Sequence, residues 1–490
     1  MPNNKNKKRR TLIKRILVNI FMLFSICVIA TIITFFMLGY RFDSNKGDLE
    51  QNAFLQFSSV PSGATVSVNG SVIGSKTPNK TSVRAGKYAV VMWRDGYQTW
   101  QKTVNVKSGT LTWLNYTLLI PKTLTVESIA NYKTIYSSLA SPKGNYIIVQ
   151  PTAESPSYKL IDISSDNAVS KDLVIPTNIY TKPTTSATAQ TFSIEKWDNG
   201  ERYIIVKHTY GDKNEWMVLD TQDVKQTKNI TKTFNIPIEK AVFSSNSGNN
   251  LYVLGSGDIR KLDLSAGTIS KPLVSNVTDF DFYFDTQVIT YVGTGKVGTD
   301  ERVVGVFRDG DTKASVIRTV KGSADVPLHI ATTNYFNENY VAISEGNKVE
   351  ILSGSYPNTT SDNANNLKTI SSFSTQQNIQ QLSFSPKGKY VLVQSGANFS
   401  SYDLEYQKLA SSTITNSTVV PPLKWLDENH LWTDAEGKLS ILEFDGNNTH
   451  TINPVLIGQD ATLTNNGRFL YSVNNSATGY QLQRVRMILP

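Results

Sequence analysis

The run from Ile16 to Leu38, ILVNIFMLFSICVIATIITFFML, holds 23 residues without a charge. A helix of that length spans roughly 34 Å, slightly more than the ~30 Å hydrocarbon core of a bilayer, so the run reads as a transmembrane helix. Its polar side chains are Asn19, Ser25, Thr31 and Thr34. Hydroxyls can bond back onto a helix backbone, and none of the four forbids insertion. Lys5, Lys7, Lys8, Arg9, Arg10, Lys14 and Arg15 precede the run, with no acid before Asp43. This bias keeps residues 1–15 in the cytoplasm and places everything after the helix outside. A cleavable signal would have an apolar region of only about 7 to 15 residues and a small-x-small site, whereas this run ends in Phe36-Met37-Leu38-Gly39-Tyr40. Cys27 follows Ile26 in mid-span, which is no lipidation context, and reads as an ordinary apolar residue.

The 490 residues suffice for two to four domains, and 39% hydrophobic content is compatible with packed cores. A net charge of +9 looks like a nucleic-acid signal until it is partitioned. Seven of the 49 basic residues lie in the leader, leaving 42 against 40 acids outside, so no nucleic-acid partner is expected. The single cysteine lies in the membrane run. The exterior part therefore has no disulfide, thiolate metal site or cysteine nucleophile.

Residues 39–52 read as a short stalk, with Tyr40 and Arg41 placed at the lipid headgroups. From Ala53 to Leu119, short alternating runs are separated by turn residues, which predicts a small β-sandwich over 53–119. Val68-Asn69-Gly70-Ser71 is a hairpin signal. Pro61-Ser62-Gly63-Ala64, Asn69-Gly70, Gly74, Thr77-Pro78, Ala85-Gly86-Lys87-Tyr88, Gly96-Tyr97 and Gly109 together resemble a PEGA domain, with Ser62 in place of the eponymous glutamate. The resemblance implies a β-sandwich of extracytoplasmic and surface proteins, used for binding or spacing.

Over residues 120–490 a unit recurs. Its clearest copies are Ser141-Pro142-Lys143-Gly144-Asn145-Tyr146 and Ser385-Pro386-Lys387-Gly388-Lys389-Tyr390, each leading through two strands to an aspartate, Asp162 or Asp403. Degenerate copies bring the total to eight, spaced about 38 to 53 residues apart. Each reads as strand, turn, strand, loop, strand, and none buries both faces alone, which predicts a β-propeller of about eight blades. The Ser-Pro-Lys-Gly-Lys turn is similar to the Ser-Pro-Asp-Gly-Lys signature of WD40-like and TolB-type blades. The Gly-His and Trp-Asp marks of intracellular WD40 repeats are absent, which favours the extracytoplasmic type. The last unit stops after its third strand, and a connector strand near Leu124 to Ile129 is expected to supply the missing outer one and close the ring.

The fold class is thus an all-β ectodomain, a PEGA-like sandwich plus a propeller, on one N-terminal transmembrane helix. Chemistry is sparse. Asp279, Asp281 and Asp285 alternate with Phe280, Phe282 and Phe284, so an inner strand would turn three carboxylates to the channel and three rings to the core. Such a group could hold Ca²⁺ or supply a general acid; the plainer expectation is a solvated strand face. Gly293-Thr294-Gly295-Lys296-Val297-Gly298 matches a dinucleotide fingerprint but precedes a strand, not a helix, and reads as a hairpin loop. His208, His329, His430 and His450 fall in separate units without metal spacing, and Asp309-Gly310-Asp311 reads as a turn. The Asn-x-Ser/Thr triplets at Asn229 and Asn416 would be glycan acceptors only in a glycosylating host. Exposed tryptophans among Trp93, Trp100 and Trp113 would suit a sugar or a protein partner, whereas the sandwich core is their commoner place. No catalytic residue, metal or cofactor is assigned. The function read from sequence is a membrane-anchored, non-enzymatic binding or scaffold protein presenting its propeller to cell-wall glycan or an envelope protein. The alternative is an envelope hydrolase or lyase acting in the channel.

Overall fold

The computed structural model describes residues 4–37, 39–43, 48–183, 189–295, 300–322, 325–357, 366–414 and 420–490. Contacts divide the chain into two compact units, Met1–Thr123 and Leu124–Pro490.

The first unit begins with one helix, Asn4–Met37, whose apolar stretch Ile13–Phe35 has no protein packed over it. Ser25, Thr31 and Thr34 each donate to the carbonyl four residues back at 2.8 Å, so every hydroxyl of the stretch is satisfied inside the helix. Residues 39–52 are not a plain stalk. Tyr40–Asp43 and Asp48–Gln51 pair as a hairpin, and the Asn52 N–H closes it on the Gly39 carbonyl at 2.9 Å.

A two-sheet sandwich follows. One sheet has the order Asn79–Val83, Ala53–Val60, Leu111–Leu118; the other Ser71–Val72, Thr65–Val68, Gly86–Trp93, Trp100–Val106. Period-2 alternation sends Ala53, Leu55 and Phe57 inward to meet Val66, Val90, Met92 and Leu114, all buried. Each large apolar side chain so buried stabilises the fold by about 1.5 to 3 kcal/mol. Asn69 and Gly70 take φ of 48° and 82°, the two positive values that a type I′ turn requires, and the Asn69 Oδ1 accepts from the Ala89 N–H. The Pro61-Ser62-Gly63-Ala64 step is held by buried Thr77, whose Oγ1 accepts from the Ala64 N–H at 2.9 Å and shares a 2.6 Å bond with the Ser59 hydroxyl. Trp100 is core, edge-on to Tyr116, while Trp93 and Trp113 are half-buried. Ile120 and Lys122 bond to the 96–98 turn through Gln98 N–H to Ile120 O and Lys122 N–H to Gly96 O.

In the second unit, eight four-stranded antiparallel sheets are found among the described residues. Sheets 1 to 7 take strands in chain order from 137–174, 190–229, 240–269, 277–321, 328–374, 381–413 and 424–454. Sheet 8 takes Thr462–Leu463, Phe469–Ser476 and Gly479–Arg486, and its outer strand is Val126–Tyr132. Val126 lies opposite Val485 and Tyr132 opposite Tyr480, with a bulge after Ser128. Arg484 adds a 2.8 Å bond to the Glu127 carboxylate. Neighbouring sheets share apolar clusters, for example Leu160 and Phe192 between sheets 1 and 2, and the last packs on the first through Phe469, Tyr471 and Leu482 against Ile147, Val149 and Ile161. This is a propeller-type arrangement, with each first strand innermost.

The two Ser-Pro-Lys-Gly turns are fastened by the sheet that follows. Ser141 Oγ accepts from the Asn145 and Tyr146 N–H groups and donates to Glu201 Oε1 at 2.6 Å; that carboxylate also accepts from the Lys143 N–H and the Asn145 amide. Glu428 does the same for the second copy, accepting from Ser385 Oγ at 2.7 Å and from the N–H groups of Lys387 and Lys389. Trp197 stacks over Tyr146 and Trp425 over Tyr390, at 6.3 and 6.2 Å between centroids. Gly144 is fixed twice over, by φ of +68° and by the Leu463 carbonyl that a Cβ would strike.

Two outcomes follow for stability. Thr77→Val should cost about 1 to 3 kcal/mol, because it orphans the buried Ala64 N–H and removes the bond to Ser59, whose hydroxyl keeps only the Pro61 carbonyl; an unchanged melting temperature would contradict the role of Thr77. A second unit beginning at Tyr136 should be less stable than one beginning at Leu124 by at least about 3 kcal/mol, since it lacks a whole ladder of strand hydrogen bonds and bares an edge. Equal denaturation midpoints would contradict closure.

Candidate functional site

The candidate acids lie on Val277–Tyr283, the first strand of sheet 4, where Phe280 and Phe282 point into the core and Asp279 and Asp281 point out. The strand stops at Tyr283, so Asp285 falls in the turn beyond it, exposed, and the three carboxylates do not share one strand face. Each acid on the strand meets a lysine from a preceding sheet. Lys240 Nζ stands 2.9 Å from Asp279 Oδ1, and Lys196 Nζ 3.6 Å from Asp281 Oδ1. These carboxylates are well exposed, at 67% and 47%, so each pair contributes about 0 to 1 kcal/mol and serves to set local charge. The same inner ring is stitched elsewhere by Asp460, which accepts from Lys424 Nζ and the Ala140 N–H, both at 3.0 Å, and donates its own N–H to Ser138 Oγ.

Beside Asp281 the first turns of sheets 2, 3 and 4 enclose a depression of about 320 Å³ lined by Lys196, Asn199, Ser245, Asp281, Phe284 and Asp285. Burial, reinforced by the Asp281 charge, pushes the neighbouring Tyr283 hydroxyl up, so it stays a neutral phenol. The lining thus offers one ammonium, two carboxylates, an amide and a hydroxyl. It can hydrogen-bond a polar ligand. It does not gather a metal: among the described residues, no group of three or more His, Cys, Asp or Glu is arranged to hold an ion.

Two of the four histidines sit in side-chain networks. His208 is buried between Phe192 and Tyr210, with Nδ1 3.4 Å from Glu215 Oε2 and Nε2 3.3 Å from Gln190 Oε1. Burial raises the Glu215 carboxyl, but hydrogen bonds from His208 and from the Thr181 side chain and N–H, with the Lys232 charge, outweigh it and hold the group at about 2. His430 Nδ1 lies 2.9 Å from Asp427. His329 Nε2 is 3.3 Å from the Ile379 carbonyl, and burial lowers His450. Asp311 accepts from the Arg308 N–H and guanidinium, which makes 308–311 a hairpin turn. Gly293 to Gly295 lead out of one hairpin strand and Glu301–Arg308 is its partner; Lys296, Val297 and Gly298 lie outside the described residues, as does Asn416. Asn229 is buried and caps a short helix, its Oδ1 accepting from the Lys232 N–H, so its amide is engaged inside the fold and not presented to a glycan.

The residues that sequence reasoning passed over are Glu201 and Glu428. A signal existed: each follows a tryptophan, in Trp197-Asp198-Asn199-Gly200-Glu201 and Trp425-Leu426-Asp427-Glu428, one sheet after a Ser-Pro-Lys-Gly turn.

Comparison with known proteins matches residues 54–120 to the PEGA domain model. No curated protein matches the chain. Among solved structures, dipeptidyl peptidase 4 of Porphyromonas gingivalis is 14% identical with a TM-score of 0.47, covering 71% of this chain and 57% of its own. A yeast nucleoporin complex, Nup82-Nup159-Nup116, is 12% identical with a TM-score of 0.41, covering 65% and 97%. A KlHsv2 variant with loop 6CD replaced by a Gly-Ser linker is 12% identical with a TM-score of 0.38, covering 72% and 99%.

The depressed Glu215 carboxyl stabilises the fold above its unfolded value near 4.5, and that contribution is lost as pH falls toward 2. Glu215→Gln should therefore be destabilised by up to about 3 kcal/mol at pH 7, the deficit narrowing below about pH 4.5. A deficit constant from pH 7 to pH 2.5 in urea titrations would contradict the ionised carboxylate.

Proposed function

We propose that the chain is a single-pass membrane protein whose PEGA domain and eight-bladed propeller, of WD40-like or TolB type, stand outside the cytoplasm. There they bind or scaffold a cell-wall glycan or an envelope protein. The observation that carries this reading is the apolar stretch Ile13–Phe35, bare of protein and flanked by a basic leader, placed directly ahead of a domain of extracytoplasmic kind. Binding rather than turnover is favoured by the inner ring. Asp279, Asp281 and Asp460 each stand beside a lysine, which gives paired opposite charges suited to holding a polar ligand by hydrogen bonds. Neither nucleophile with oriented base nor clustered ligands is assembled there among the described residues.

Protease added to intact cells should degrade the protein and leave a membrane fragment of about 5 kDa, the leader plus the span. Full protection would overturn the topology. Detergent-purified protein should be retained on wall fragments or on an envelope partner and show no turnover on a panel of glycans and peptides. Turnover that disappears in Asp279→Asn with Asp281→Asn, at unchanged melting temperature, would instead make the channel a catalytic site.

A further inference from the structure

The near-neutral balance of the exterior part conceals two opposite halves. Residues 39–123 carry ten basic side chains against four acidic, and residues 124–490 carry 32 against 36. Within the sandwich and its exit, 53–123, the ratio is eight to one, the single acid being Asp95.

The fold concentrates part of this charge at one end. Strand Ala53–Val60 begins there, with Ala53 opposite Val83, and the chain beyond Val83 turns back so that Gly86 lies opposite Val106 and Lys87 opposite Asn105. The 107–110 turn closes over the same place: Gly109 N–H donates to the Asn52 carbonyl, Phe54 N–H to Thr110 O, and Ser108 Oγ to Gln51 O at 2.6 Å. Arg84, Lys87 and Lys107, all exposed, therefore flank Asn52. Lys87 and Lys107 enter no ion pair among the described residues. Of the other five basic residues, Lys80 and Lys102 lie within strands, opposite Gln56 and Val90, and Arg94 and Lys122, with Asp95, lie at the opposite end, where Arg94 is engaged by the Ser62 carbonyl and the Tyr97 ring.

The charged end is also the end nearest the helix. The hairpin closes on itself through Asn52 N–H to Gly39 O, so the entry to the sandwich sits against a residue only two positions beyond the last helical one, Met37. Two residues reach at most about 7 Å, less than the ~8 Å Debye length of physiological salt. Resting on the anchored reading above, we propose that this end of the small domain is a membrane-docking surface. Arg84, Lys87 and Lys107 contact the phosphates of acidic phospholipids in the leaflet on the domain's side of the membrane. A second basic cluster outside would hold the domain down on the lipid and fix its attitude, where a helix alone leaves it free to swing.

The test uses the full chain in lipid nanodiscs of phosphatidylcholine alone or with about one third phosphatidylglycerol, and reads lysine acylation by mass spectrometry. With a basic residue near an acidic surface gaining about fivefold in occupancy, Lys87 and Lys107 should label about fivefold more slowly in the acidic discs. The difference should vanish in 1 M salt, where the Debye length is about 3 Å. Lys122, at the far end of the same domain, should label alike in both. Insertion with equal labelling of Lys87 and Lys107 in the two lipids overturns the docking surface while leaving the anchor intact. Failure to insert into either disc overturns both. Slowing by soluble polyphosphate in neutral discs, with none from phosphatidylglycerol, assigns the surface to a free polyanion and overturns the lipid assignment.

Discussion

A ring of sheets has no stable halfway state: until the last sheet is completed, one edge of backbone N–H and C=O groups stays open to water or to another chain. Here the completing strand, Val126–Tyr132, comes from the start of the unit and pairs along Gly479–Arg486 at its end. Everything inward depends on that pairing. With the ring closed, sheet 8 packs on sheet 1, the first strands face one another, and lysines and aspartates from different sheets come within reach. The Glu201 and Glu428 fastenings tighten the same circle sheet by sheet, each carboxylate replacing water around a turn whose N–H groups have no strand partner.

Local pattern was enough for much of this. Alternation marked 53–119 as a small sandwich, Asn69-Gly70 as a hairpin turn, and the missing fourth strand of the last unit as a gap to be filled from the connector. The hairpin at 40–51 escaped although Tyr40-Arg41-Phe42-Asp43 alternates, because the polar run around it outweighs four residues in any composition reading. Asp285 was assigned to the strand because alternation alone carries no stop signal; the chain leaves the ladder at Tyr283 and turns through Gln287 at φ +53°.

Pairs distant in sequence were beyond reach for a different reason. Lys196 with Asp281, Lys240 with Asp279, and Glu215 with Thr181 depend on which sheets become neighbours and which side each strand presents. One-dimensional spacing does not encode that until closure is known. The charge balance shows the same limit from the other side: summed over the exterior part it is nearly zero, and only the division at Thr123 separates a basic small unit from an acidic large one.

The most direct measurement of the central claim is amide hydrogen exchange on the intact protein, followed peptide by peptide across residues 124–136 and 467–488. A closed ring requires the amides of Val126–Tyr132 that bond to Gly479–Arg486 to exchange as slowly as those between Phe469–Ser476 and Gly479–Arg486, because both ladders open only with the sheet. Exchange of the 126–132 segment at the rate of an exposed loop, beside a protected 469–486 hairpin, would mean an open ring and would contradict the account.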